Sequence, residues 1–469
     1  MAGSVSASPG VSLTPTATKI ALPTNYITDF SFINQYLPDV HDAEFEAYGN
    51  RSVASFLRLV GAEIPTNSDL IKWAEQGRLH TKYEDVVTAT ADAADTTVFT
   101  RTGGLTFNFR ANQTLIFSDN AADIIAKGVV SAINAANTQL TVEWYEAAGQ
   151  PTGFNASAAI TTFVFGSEFK KGSAGMVGAL ESVDSFYDNK TIIIKEKYTV
   201  SGSDMAQIGW VNTTTESGGG GYYWFLKSQG DTRTRFEDYT EMSMIEAVSA
   251  ENASGAEVFL SDNTGGGNAG SEGMFEAIET RGNVWAGGNP STLDDFDAVI
   301  ARLDKQGAIR ENVLFLDRGF SNDMNGMLAA QNSLGSGGTS YGVFNNSEDM
   351  AINLGFDGFK RGYEFYKTDW KYLNDATLRG GLNGGAVHGV MVPAGTMSIY
   401  DQVMGKNAMR PFLHVRYRAS EHTSRLYQTY MTGGSSPNQT DDIDEMNVNF
   451  LTERAVCTMG ANNFFIFKG

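Results

Sequence analysis

Two adjacent lysines, Lys170 and Lys171, stand in the glycine-flanked stretch "GSEFKKGSAGMVG" beside Glu168. A lysine amine next to a desolvated carboxylate can attack the carboxamide of an asparagine on a neighbouring chain and form an isopeptide bond. The reaction needs the amine deprotonated, hence an apolar pocket, and another subunit would have to supply that pocket. The plainer reading of the same residues is a solvated lysine loop, and the sequence favours it.

The other chemistry-bearing residues are sparser. Asp441, Asp442, Asp444 and Glu445 form an acidic run that suits a divalent cation held between subunits, although a solvated loop is the simpler expectation. His41, His80, His388, His414 and His422 show no metal-ligand spacing. Cys457 is the sole cysteine, so no disulfide within the chain and no multi-cysteine metal site can form. Its apolar neighbours mark it as a buried small hydrophobe rather than a nucleophile. "GGGNAG" has the glycines of a dinucleotide fingerprint but no strand before it, so it reads as a turn, as does the nearby pair Asp262 and Asn263. Neither a phosphate-binding loop nor a zinc-protease or hydrolase nucleophile motif occurs. The expectation is a chain with no catalytic residue, no metal and no cofactor.

The elements that would carry these residues are legible in outline. Residues 43–85 read as helical: "RSVASFLRLVG" puts Val53, Phe56, Leu57 and Val60 on one face, and "NSDLIKWAEQGRLHTKY" offers Ser68 as an N-cap. From Val86 short runs such as "TTVFT", "LTFNF", "TLIFS" and "QLTVEWY" follow one another. Leu105, Phe107 and Phe109 alternate with polar residues, and the whole predicts a small β-barrel or sandwich over 86–178. "KTIIIKEKYTVSG" predicts a strand. "QGDTRTRFEDYTEMSMIEAVSAEN" predicts one long helix with Phe236, Tyr239, Met242, Ile245 and Val248 on a face, set between two glycine runs. "STLDDFDAVIARLDKQG" predicts a helix capped by Ser291 and stopped at Gly307, with Leu293, Phe296, Ile300 and Leu303 as its stripe. A strand ("ENVLFLDRG"), a helix capped by Ser321, and a glycine-rich loop over 332–349 come next. Further strands run to the last residues.

Composition narrows the function. With 42% hydrophobic residues the chain can bury real cores. Its 54 acids against 34 bases give a net charge of −20, which repels polyanions and argues against a surface built to grip DNA or RNA. The first residues lack a basic segment followed by an apolar core, so no signal peptide is expected, and no run of about 18 apolar residues predicts a membrane span.

The order of parts resembles the major capsid protein of tailed double-stranded DNA bacteriophages. The resemblance is carried by "WAEQGRLHTKY", "TRFEDYTEMSMIEA", "IETRGNV", "LDDFDAVIARLDKQGAIRENVLFLDR" and "NFLTERAVCTMGANNFFIF", and the crAss-like and related large phages are the nearest group. It implies an α+β, HK97-like capsid fold. Residues 1–42 would be an N-terminal arm, 43–85 a helical segment, and 86–178 a β-barrel module inserted into the extended loop. Residues 179–255 would hold the loop's return and the spine helix of the peripheral domain, 256–410 an α/β axial domain, and 411–469 returning strands of the peripheral domain. The glycine runs would then be hinges about the helix.

The resemblance also implies a shell protein that self-assembles into hexamers and pentamers around the genome without sequence-specific DNA binding. Scaffolding, portal and decoration proteins would be partners, with assembly in the bacterial host cytoplasm and residence in the virion capsid. Tyr341, Val343, Phe344, Lys170 and Lys171 are the candidate subunit-contact residues. The alternatives are a tail or adhesin-like protein that binds carbohydrate on exposed aromatics, and a hydrolase with a deep pocket of perturbed carboxylates.

Overall fold

The computed structural model describes residues 53, 56–57, 62–91, 96–119, 123–146, 160–178, 184–206, 213–214, 220–221, 224–250, 254–260, 270–307, 309–331, 358–382, 384–401 and 406–469. It shows a mixed α+β chain in two compact units, one formed by Met1–Lys72 with Asp188–Gly469, the other by Trp73–Tyr187. The chain crosses between them on two strands that pair with each other, β2 (Leu70–Gln76) and β9 (Asp184–Lys190).

The unit Trp73–Tyr187 is built on a closed barrel. Its strands are β3 (Lys82–Ala91), β4 (Thr96–Arg101), β5 (Gln113–Asp119), β6 (Ile124–Ile133), β7 (Gln139–Trp144) and β8 (Ile160–Ser167), in the closed order β3-β4-β7-β6-β5-β8. Closure removes the unpaired edges that short strands would otherwise expose. Inside, Phe99 and Phe117 stack at 4.6 Å and Trp144 meets both edge-on. Phe99 and Phe117 are fully buried and contribute about 1.5–3 kcal/mol each; Trp144 is partly buried.

The "LTFNF" stretch is not a strand. Phe107 and Phe109 are buried in this core against Tyr83, while Leu105 is exposed. The Asn108 N–H donates to the Tyr83 hydroxyl at 2.9 Å. Its alternation reflects two aromatics filling the barrel, not a ladder.

The larger unit has two sheets. The first contains β1 (Ala62–Thr66), β20 (Leu413–Arg418), β22 (Glu445–Thr458) and β10 (Ile192–Ser201) in that order, with β21 (Gln428–Thr432) also paired to β22. The second has the order β13 (Asn283–Trp285), β23 (Phe465–Lys468), β17 (Val387–Pro393), β14 (Glu311–Leu316), β16 (Tyr363–Asp369) and β15 (Gly358–Arg361). Its central strands are buried on both faces, hence their continuous apolar sequences. Phe315, Val390 and Ile466 face one core; Leu314, Leu316, Met391, Phe465 and Phe467 face the other. Two small ribbons complete the strands, β11 (Thr213–Thr214) with β12 (Gly220–Gly221) and β18 (Thr396–Asp401) with β19 (Lys406–Pro411).

Helix α1 (Trp224–Glu246) is the predicted long helix. Its buried positions are Thr232, Phe236, Thr240, Glu241, Met244 and Ile245. Tyr239 and Val248, expected on that face, are exposed, and Val248 lies beyond the helix end. Two buried threonines are tolerated because each hydroxyl donates one turn back, Thr232 to the Ser228 carbonyl and Thr240 to that of Phe236, both at 2.8 Å. Phe236 packs on Phe450 and Tyr427; Met244 and Ile245 enter the core shared with Phe56, Trp370 and Val456. Two acids of α1 hold the segment expected to be the first helix. Asp238 accepts from the Val53 N–H and Glu241 from that of Leu57, each at 2.8 Å.

Helix α2 (Met274–Arg281) follows the second glycine run. The end of that run is clamped. A Cβ at Gly273 would lie 2.6 Å from the Ala247 carbonyl, and Gly270, at φ +76°, would meet the Val248 carbonyl at 2.4 Å. These two glycines therefore let the chain pack on the end of α1, which corrects the expectation of a free pivot there. The rest of the run, with Asp262 and Asn263, lies outside the described residues, as does most of the first run.

Helix α3 (Leu293–Gln306) matches its prediction in length and in its stop at Gly307, which is left-handed at φ +69°. The cap is Thr292 rather than Ser291: its hydroxyl accepts from the Asp295 N–H, and the Asp295 carboxylate returns a bond to the Thr292 N–H. Helix α4 (Arg318–Gln331) is capped by Asp317, which accepts from the Phe320 N–H at 2.6 Å; Ser321, the expected cap, is buried inside the helix.

Two larger expectations also fail. Residues 70–76, predicted helical, form β2, and β3 begins before Val86. Ser68 makes a local turn, accepting from the Leu70 N–H. The last strand does not return to the sheet packed on α1: β23 pairs with β13 and β17 in the other sheet.

Candidate functional site

The lysine loop leaves the end of β8. The Glu168 N–H donates to the Asn112 carbonyl at 3.0 Å, and both the N–H and the hydroxyl of Ser173 reach the Lys170 carbonyl. Gly172, at φ +78°, completes this compact turn. Lys170 and Lys171 are exposed, and neither pairs with Glu168. That carboxylate instead accepts from the Tyr145 hydroxyl at 2.5 Å. Burial, with the Glu168 charge adding to it, pushes Tyr145 up to about 12. The desolvated lysine–carboxylate couple that the isopeptide reading needs is thus not formed within the chain, and the exposed lysines fit the solvated loop that the sequence favours.

Beside this loop lies an apolar face. On β6, Ile125 and Lys127 are exposed while Ala126 between them is buried. The register sets Ile116 of β5 between Lys127 and Phe163 of β8, so all three point outward in one row. Phe165 also faces out, where the β5–β8 register shifts, and the Lys127 ammonium sits 5.9 Å from its ring centroid.

The acidic run forms a second, well-held loop. Its frame is backbone: Gly434 N–H to the Ile443 carbonyl and Glu445 N–H to the same carbonyl, each at 2.8 Å, and Gly202 N–H to the Asp444 carbonyl. Asp444 also accepts from Ser435, and Glu445 from Asn447. The four carboxylates do not converge, and among the described residues no group of three or more His, Cys, Asp or Glu side chains is placed to hold a metal. Asp441, Asp442 and Ile443 project outward.

Several titratable groups that sequence reading left apart are paired. His388 on β17 meets Asp317 at 2.8 Å. The Glu272 carboxylate is half-buried against Arg281; burial raises its pKa and the guanidinium opposes that rise. Cys457 on β22 is buried opposite His414 on β20, and burial pushes its thiol up to about 12, which fits an unreactive core residue. His80 and His422 are exposed, and His41 lies outside the described residues.

The hub sequence reasoning missed is Asn189. Its Nδ2 donates to the Glu272 and Val456 carbonyls, and its Oδ1 accepts from Ser271 Oγ and the Glu272 N–H. Little local signals this, because apart from the adjacent Lys190 N–H, which also donates to Oδ1, every partner is more than eighty residues away in sequence.

A shallow groove of about 400 Å³ runs between α1 and β10, lined by Ile192, Tyr239, Met242, Ser243, Glu246 and Ala247. Its one carboxylate, Glu246, is already held by Tyr372 and Arg379. Tyr341, Val343 and Phe344 lie outside the described residues. No described helix is long and apolar enough to cross a membrane.

No protein-family model and no curated protein matches the chain. Solved structures are similar to it at low identity. A structure from Microbacterium phage Oxtober96 covers 91% of this chain and 95% of its own, with 7% identity and a TM-score of 0.40. The bacteriophage PhiM1 mature capsid gives 92% and 92%, with 9% identity and a TM-score of 0.37. The capsid of a native GTA particle gives 92% and 96%, with 10% identity and a TM-score of 0.38. What the chain is similar to, over about nine-tenths of its length, is therefore a phage structure, a phage capsid and a GTA capsid.

Proposed function

We propose that this chain is a major capsid protein, many copies of which pack side by side into the icosahedral shell around the double-stranded DNA genome of a tailed bacteriophage. The observation that carries the reading is the large apolar side chains left bare on both units. Leu79, Val177 and Phe186 are 80%, 85% and 76% exposed on the barrel-bearing unit, and Phe259 is 84% exposed on the other. Scattered exposed hydrophobics are ordinary, but four this bare, three of them on one unit, suit a subunit whose neighbours cover it. The net charge of −20 supports the same reading, since a container should not bind the polyanion it is filled with.

On this reading α1 is the spine of the peripheral domain, residues 256–410 form the axial domain with an HK97-like arrangement, and the barrel is carried on the extended loop. Tyr341, Val343 and Phe344 are contact residues around the ring of axial domains. Hexamers and pentamers assemble in the host cytoplasm with scaffolding and portal proteins, and the chain acts without catalysis.

A carbohydrate-binding reading of the barrel is less well supported. Sugar platforms set hydroxyl-bonding groups beside their aromatics. The nearest outward neighbours of Phe163 and Phe165 are Ile116 and Lys127, and Ser118 and Thr161 lie one row further along with Ile125. Negative-stain microscopy and light scattering of the purified chain, alone and with a scaffolding partner, test the proposal: rings or closed shells are the expected outcome. A chain that stays monomeric under every assembly condition would overturn it.

A further inference from the structure

The outer barrel face and the acidic turn have opposite characters. The face carries Ile116, Ile125, Phe163 and Phe165, with Lys127 among them and Lys170 and Lys171 shortly after β8. None of these three lysines makes an ion pair with a described residue; of the acids nearby, Glu168 is engaged by Tyr145 and Glu84 by Lys82, while Glu143 is exposed on the neighbouring β7 opposite Val129. These lysines give the face a positive character in a chain with 54 acids and 34 bases. The acidic turn is its complement. Asp441 and Asp442 are exposed and free of ion pairs with described residues, Ile443 beside them is 53% exposed, and Tyr430 and Met431 on the adjoining β21 are also exposed. The backbone bonds that frame this turn hold it in one shape, so little order is lost when it docks.

We propose that the outer face of β6, β5 and β8 binds the Asp441–Ile443 turn of a second copy of this chain. Ile443 packs against Phe163 and Phe165, and Asp441 and Asp442 meet Lys127, Lys170 and Lys171. The apolar contact supplies affinity and the charges supply register and partner choice. The inference rests on the shell reading for the copies being arranged side by side, and names one contact between them.

Charge exchange tests it. Lys127→Glu with Lys170→Glu and Lys171→Glu, or Asp441→Lys with Asp442→Lys, should each lower particle yield by about tenfold or more, a change of about 1.4 kcal/mol. All the substitutions sit on exposed residues, so the circular dichroism and melting of the subunit should be unchanged. Combining both sets should restore most of the yield. Independently, Lys170→Cys and Asp442→Cys in one chain should give a ladder of disulfide-linked oligomers after mild oxidation, because the native Cys457 is buried. Normal assembly of the charge-reversed chains, no recovery in the combination, or no ladder from assembled particles would overturn the contact while leaving the shell reading intact. A ladder from a chain that never forms rings or shells would keep the contact and sink the shell.

Discussion

Glu246, the last residue of α1, receives the Arg379 guanidinium at 2.5 Å on one carboxylate oxygen and the Tyr372 hydroxyl at 2.7 Å on the other. A carboxylate at a helix C-terminus faces unpaired carbonyls and is disfavoured there. The pairing offsets this and ties the helix to the segment that follows β16. Burial first, and then the Glu246 charge, drives the Tyr372 phenol well above its ordinary range, so it stays a donor.

Arg379→Met should therefore destabilise the protein by about 1–3 kcal/mol, less than a fully buried pair because both side chains keep some exposure. Glu246→Gln, which relieves the helix end and keeps an acceptor for Tyr372, should cost less. Urea titration followed by circular dichroism compares the two; equal losses would refute the dipole argument.

Gly273→Ala should destabilise by about 1–3 kcal/mol or more, because the added methyl meets backbone on three sides and backbone cannot rotate away. Gly307→Ala, at a left-handed cap with open space around it, should cost about 1 kcal/mol. Thermal melts of the pair distinguish steric clash from conformational strain.

The Cys457 thiol should resist alkylation in the native protein at pH 8 and react promptly in denaturant. Its folded pKa, about 12, lies above the value of an exposed thiol. The stability that follows is complete below the unfolded pKa, about 8.5, and is lost as pH rises through the folded value. Cys457→Ala should consequently flatten the alkaline limb of the stability curve, and a native thiol that labels rapidly would show that the site is open.

Asn189→Ala should cost more than about 3 kcal/mol, since it strands buried partners on β22 and on residues 271–272 together. Hydrogen exchange should then rise at the start of α2 and near the end of β22, around Val456, before it rises elsewhere. Protection unchanged at both places would mean the hub is redundant.

The fold was readable where local pattern and tertiary demand agree. The helix over 293–306 was legible because acids follow its cap, its apolar residues recur with the helical period and a glycine stops it. The strands β10 and β14 and the barrel's composition declared themselves in the same way. Lys170 and Lys171 were found by type and spacing, but sequence could not say that Glu168 would turn to Tyr145 instead.

Other outcomes depended on partners far along the chain. Residues 70–76 have the composition of a helix, yet a strand more than a hundred residues later pairs with them and takes their backbone bonds into a ribbon. The end of the chain alternates like the strands before it, and only the slot between β13 and β17 places β23 in the second sheet. Ser321 looked like a cap until Asp317 took that role and burial claimed the serine. Propensity, charge and turn chemistry are properties of neighbouring residues and so were set by the sequence itself. Which strand lies beside which, and which buried polar atom finds which partner, were decided only when packing brought distant segments within hydrogen-bond reach, because those energies do not exist before the segments meet.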